Sequence, residues 1–79
     1  MTNDEQIKQG IKQIIGDMTD ADGSLIEDRA TIEDCMLDMS EFTQELEEKF
    51  NITMDRLVPS MTVHDIALMI GNIKEHRAI

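Results

Sequence analysis

The chain has 79 residues, 17 acidic against 7 basic, and a formal net charge of −10. That length allows one domain, 1–79, and that charge argues against nucleic acid and anionic membranes as partners, because neutralising phosphate needs Lys and Arg. Cys35 is the only cysteine, which excludes an intrachain disulfide, and no apolar run is long enough to span a bilayer.

Residues 4–18 read as the first helix. Ile7, Ile11, Ile14, Ile15 and Met18 recur at helical spacing on one face. Asn3, Asp4 and Glu5 supply a cap and negative first-turn charge, and Gly16 is expected to mark where the helix frays. Residues 19–33 read mostly as loop. Thr19-Asp20-Ala21-Asp22-Gly23-Ser24 is turn chemistry, and Leu25, Ile26 and Ile32 are expected to peg the segment to the core. A loop this long in so small a domain points to a functional segment.

Residues 35–50 read as the second helix, with Asp34 as its N-cap. Met36, Met39, Phe42 or Thr43, Leu46 and Phe50 are assigned to its buried side. Its other faces carry Asp38, Glu41, Glu45, Glu47 and Glu48, opposed only by Lys49 and not spaced for internal pairing. Residues 54–58 are expected to form one short helical turn closed by Pro59. Thr62 then caps the last helix, with Asp65 completing a capping box, and Val63, Ile66, Ala67, Ile70 and Ile73 as its apolar stripe. Lys74, His76 and Arg77 suit its C-terminal end. No segment alternates as a strand would.

There is no Trp, no Tyr and only two Phe, so the core falls to Ile, Leu, Val and Met. Seven Met add adaptable apolar surface, suited to a pliable cavity or an interaction face. Domains of this size bury only roughly 60% of their unfolded surface, so the helical faces must pack efficiently.

Sites for chemistry are sparse. Asp20-Ala21-Asp22-Gly23-Ser24-Leu25 has the look of an EF-hand opening, but the first ligand position would be Met18 and the twelfth Arg29. Calcium needs a bidentate Glu at the latter, so a surface turn is the better reading. Cys35, His64 and His76 are too few and too scattered for zinc or for a nucleophilic pair. No metal site and no enzyme are expected. A single free thiol and no signal peptide point to the cytoplasm, and the acidic surface points to partners with basic patches.

The order of these elements resembles the acyl carrier protein family across most of the chain. Lys12 to Gly16 is similar to the family's first helix, and Ser24-Leu25-Ile26-Glu27-Asp28 to its loop before the attachment motif. Glu41 to Ile52, with Leu46-Glu47-Glu48-Lys49-Phe50, is similar to its recognition helix, and Met61-Thr62-Val63 to the entry of its last helix. The resemblance implies an all-α fold: a small, monomeric four-helix bundle with a long first loop and a short third helix. It implies a role in fatty acid or polyketide-type biosynthesis, docking biosynthetic enzymes through Asp38, Glu41, Glu45, Glu47 and Glu48. It also implies 4'-phosphopantetheine, carried on a serine in an Asp-Ser-Leu motif, and an acyl chain as cargo. This sequence departs from that motif: Cys35 or Met36 stands in the serine position, depending on register. Three readings follow, namely a carrier shape acting by binding alone, acylation or disulfide formation at Cys35, and modification of another serine such as Ser24 or Ser40. The alternative from a different class is a small acidic helical adaptor or regulatory protein that binds a basic partner.

Overall fold

In the computed structural model, backbone is described for residues 3–54 and 57–77, and side chains for 5–54 and 57–74. Three α-helices form where the apolar stripes predict them: α1 Asn3–Thr19, α2 Met39–Phe50 and α3 Val63–Arg77. A 3₁₀ turn, Gly23–Leu25, interrupts the long loop between α1 and α2. α1 is the hub, packing against α2, α3 and the 3₁₀ turn. Ile7, Ile11, Ile14 and Ile15 from α1 meet Phe42 and Leu46 from α2 and Val63, Ile66, Ala67 and Ile70 from α3 in one buried cluster. Phe42 takes the core position on α2, and Thr43 lies half-buried beside it.

The ends of the helices differ from the expectation in informative ways. α1 does not fray at Gly16. It continues to Thr19 and closes with Asp20 in the left-handed region (φ 59°), the Ala21 amide donating to the Gly16 carbonyl at 2.8 Å. Asn3 is already helical, and the cap position before it lies outside the described residues. α2 begins at Met39, not at residue 35. Its N-cap is Asp38, whose Oδ1 accepts from the Ser40 and Glu41 amides at 2.9 and 3.3 Å. Asp34 is not the cap: its own amide donates to Thr31 Oγ1 at 3.0 Å inside a separate tight turn. At the far end Asn51 adopts the left-handed conformation (φ 56°), and the Ile52 amide returns to the Glu47 carbonyl at 3.2 Å.

The expected four-helix bundle is not found: the described residues contain three α-helices. Residues 55–56, within the expected short third helix, lie outside the described residues, and Met54, Leu57 and Val58 on either side are not helical. Ile52 and Met54 are both buried while Thr53 is exposed, the period of an extended chain. The Met54 amide is taken by the Glu47 carboxylate at 2.9 Å and not by a helical carbonyl.

The long loop is pinned at two places. Ile32 is fully buried in the core, and Ile26 packs half-buried against it, but Leu25 is 79% exposed and pegs nothing. Beyond it, Thr31 and Thr62 form an isolated antiparallel bridge. The Val63 and His64 amides, orphans of the first turn of α3, donate to the carbonyls of Ala30 and Asp28 at 3.0 and 2.9 Å. The expected capping box is present: Asp65 N–H donates to Thr62 Oγ1 at 3.0 Å and Thr62 N–H to Asp65 Oδ2 at 3.3 Å. No helix among the described residues is long and apolar enough to cross a membrane. The side chains of His76 and Arg77 lie outside the described set.

Candidate functional site

Burying Phe42 and Leu46 turns the opposite side of α2 to water, and that side carries Glu41, Glu45 and Glu48, all exposed. At 1.5 Å rise per residue, Glu41 and Glu48 stand about 10.5 Å apart along the axis, with Glu45 between them. The ion pairs among the described residues lie elsewhere: Asp28 with Lys8 (3.0 Å) and Lys12 (2.7 Å), and Glu27 with Arg29 (2.8 Å). Lys49, on the same helix, donates to the Gln13 side-chain oxygen at 3.3 Å. The acidic ridge is therefore not neutralised by an ion pair among the described residues.

The five expected docking residues are not equivalent. Glu41 and Glu45 are free of ion pairs among the described residues, and Glu48 only accepts from the Gln44 side chain at 3.3 Å. Asp38 is exposed but spends Oδ1 on the cap. Glu47 is half-buried, and its carboxylate holds the Met54 amide, so its position is structural. The helical spacing contains that signal, since Glu47 falls four residues after half-buried Thr43.

Cys35 and Met36 lie outside α2, in the tight turn that precedes it. The Cys35 amide donates to the Thr31 and Ile32 carbonyls at 3.2 and 3.1 Å, and the Met36 amide to the Glu33 carbonyl at 3.1 Å. Their side chains part company. Cys35 is half-buried against the core, whereas Met36 is 89% exposed with φ 57°. Met36 on the buried side of a helix is thus corrected on both counts. Burial pushes the Cys35 thiol above its ordinary range, and the Asp34 carboxylate adds to the shift. Neither side chain fits attachment of a phosphopantetheine arm, which needs an accessible hydroxyl: one is a thiol held protonated, the other a thioether.

Two serines, Ser24 and Ser40, are exposed. Ser24 O–H donates to Asp22 Oδ1 at 2.8 Å, and the Ser24 amide donates to the same oxygen at 3.0 Å. These two bonds hold the Asp22 carboxyl below its usual range. Ser40 sits in the first turn of α2, at the edge of an open cleft of about 670 Å³. Met39, Thr43, Met54 and Leu57 give that cleft its apolar wall, and Gln44 and Glu47 its polar one. The described residues hold no group of three His, Cys, Asp or Glu placed to bind a metal.

Comparison with protein-family models, with curated proteins and with solved structures finds no match to this chain.

Proposed function

We propose that this chain is a carrier-shaped docking protein of acyl carrier type, which meets basic patches on biosynthetic enzymes through α2 and acts without an arm at residues 35 or 36. The observation that carries this reading is the ridge of Glu41, Glu45 and Glu48, exposed and without a cationic partner among the described residues. A row of like charges on one helix opposes the fold slightly and is complementary to a basic surface. Asp38 extends the ridge past the N-terminus of the helix, while Glu47 supports it from inside. Encounters through such a surface are fast, weak and salt-sensitive.

The open cleft on α2 has polar as well as apolar walls, and the residues at the expected attachment point offer no hydroxyl to carry an acyl group. That departure favours a second reading, a small acidic adaptor that binds a basic partner outside acyl transfer. The two are separated by incubating the protein with coenzyme A and a broad-specificity phosphopantetheinyl transferase and measuring the intact mass. The expected outcome is no addition at Cys35 or Met36. An arm located by fragmentation on Ser24 or Ser40 makes the protein a working carrier with a displaced attachment point. With no addition anywhere, pull-down that recovers one stoichiometric partner and no synthases or transferases establishes the adaptor.

A further inference from the structure

We propose that Met36 is the apolar anchor of the docking surface and enters an apolar socket rimmed by Lys and Arg on a partner protein. This rests on the docking reading above and adds the contact that fixes the partner's position. Met36 is 89% exposed, more than Leu25, Val58 or Leu68, the other large exposed apolar residues among those described. Its φ of 57° lies in the left-handed region, where glycine is the default and a flexible apolar side chain has no local reason to be. The residue is opposed by solvation and by backbone preference together, the pattern of a position kept for contact and not for folding.

The turn beneath Met36 is firm. Ile32 at its base is 1% exposed, its amide tied to the Met61 carbonyl at 3.2 Å, and the Glu33 amide is tied to the Pro59 carbonyl at 3.0 Å. Five further bonds close the turn: Asp34 N–H to Thr31 Oγ1, Cys35 N–H to both Thr31 and Ile32 carbonyls, Met36 N–H to the Glu33 carbonyl, and Leu37 N–H to the Ile32 carbonyl. A side chain delivered from a fixed backbone loses less freedom on binding, and an unbranched thioether adapts to the shape it meets.

Charge selects the occupant. Exposed Glu33 and Asp34 precede Met36, and exposed Asp38 and Glu41 follow it, none in an ion pair among the described residues. A socket rimmed by cations matches this collar. A second copy of this chain, at −10, would bring like charge against it.

The test places a diazirine analogue of methionine at position 36 alone in the full chain, with the same analogue replacing exposed, uncharged Gln44 of α2 in a parallel sample. Both are irradiated in lysate of the source cells, and the cross-linked peptides are sequenced. The expected adduct from position 36 lies in an apolar pocket bordered by Lys or Arg. With that partner purified, Met36→Leu should bind within about threefold of the parent, and Met36→Gly should bind roughly tenfold or more weakly. The melting temperature of Met36→Gly should not fall, which separates lost contact from lost fold. Adducts from position 44 with none from 36, or full affinity in Met36→Gly, overturn the anchor and leave docking through α2 standing. Adducts from position 36 to a second copy of the chain, or to an acid-rimmed surface, overturn the proposed occupant. No adduct from either position overturns both readings.

Discussion

Gly16 and Gly23 let the long loop lie directly on the backbone of α1. A Cβ on Gly16 would stand 2.8 Å from the Ala21 carbonyl oxygen and 2.9 Å from the Gly23 nitrogen, and one on Gly23 would stand 2.8 Å from the Lys12 carbonyl oxygen. These are main-chain atoms that cannot swing aside, so the glycines set the descent of the loop. Gly10 is different in kind: its added Cβ would meet the tip of the Phe50 ring at 2.8 Å and Lys49 Cε at 3.1 Å, ends of side chains that can move. Gly16→Ala should therefore destabilise the fold by about 1–3 kcal/mol through overpacking, despite the better helix propensity of alanine. Gly10→Ala should cost clearly less, because that same propensity gain of about 1 kcal/mol offsets the shift of the neighbours. Urea unfolding of the two variants makes the comparison, and equal losses would contradict it. The sequence shows Gly16 inside a helical run and suggests fraying. It does not show that residues 21 and 23 return to within contact of it, because that contact is made across a turn whose path depends on tertiary packing.

Asp28 joins elements that the chain keeps far apart. Its carboxylate receives Lys8 and Lys12 from α1, and its carbonyl receives the His64 amide at the start of α3. The hydrogen bonds from Lys12 and then Lys8 hold the Asp28 carboxyl below its ordinary value of 3.8. A carboxyl whose pKa is lowered by folding adds stability that is present above 3.8 and is lost as pH falls through the lower folded value. The side chain is 48% exposed, so solvent screening keeps the contribution to about 1 kcal/mol or less. Asp28→Asn should thus be less stable than the parent at pH 7, and the gap should narrow as pH falls from 7 to about 3, below the ordinary carboxyl value. A gap of the same size at both pH values would assign the loss to packing. At this scale much of the fold is legible in the sequence. The Ile stripe of α1, Phe42 and Leu46 of α2, and the Thr62–Asp65 box with the stripe behind it all lie where spacing puts them. The start of α2 is not legible, because Asp34 and Asp38 are equally good caps by type. The choice falls to Ile32, whose burial draws the chain into a turn before the helix can begin. The stretch after α2 is hard to read for a related reason: Ile52 and Met54 reach the core on alternate residues, a period too short to read in three positions. For the candidate site, the acidic face of α2 is readable from its period, whereas the exposure of Met36 follows from a single left-handed residue that no spacing announces.

Across the whole molecule, one quantity acts on stability and on binding with opposite sign. The net charge of −10 is spread over 79 residues, and the described side chains neutralise little of it: three ion pairs, two of them sharing Asp28. Self-repulsion of this kind opposes the compact state, and salt screens it over a Debye length of about 10 Å at 0.1 M. Folding should therefore strengthen as salt is added. In a domain of this size roughly 1 kcal/mol moves the melting temperature by about 4–8 °C, so a rise of a few degrees between about 0.02 and 0.3 M sodium chloride is expected. Docking through the same carboxylates should weaken over that range, chiefly through a slower association rate, since long-range steering is what salt removes first. Glu41→Gln with Glu45→Gln removes charge without changing shape. That double variant should melt higher than the parent at low salt, respond less to added salt, and associate more slowly with a basic partner. A variant that melts higher but associates at the parent's rate would place the docking charge elsewhere on the surface, and one that melts lower would mean that these carboxylates support the fold.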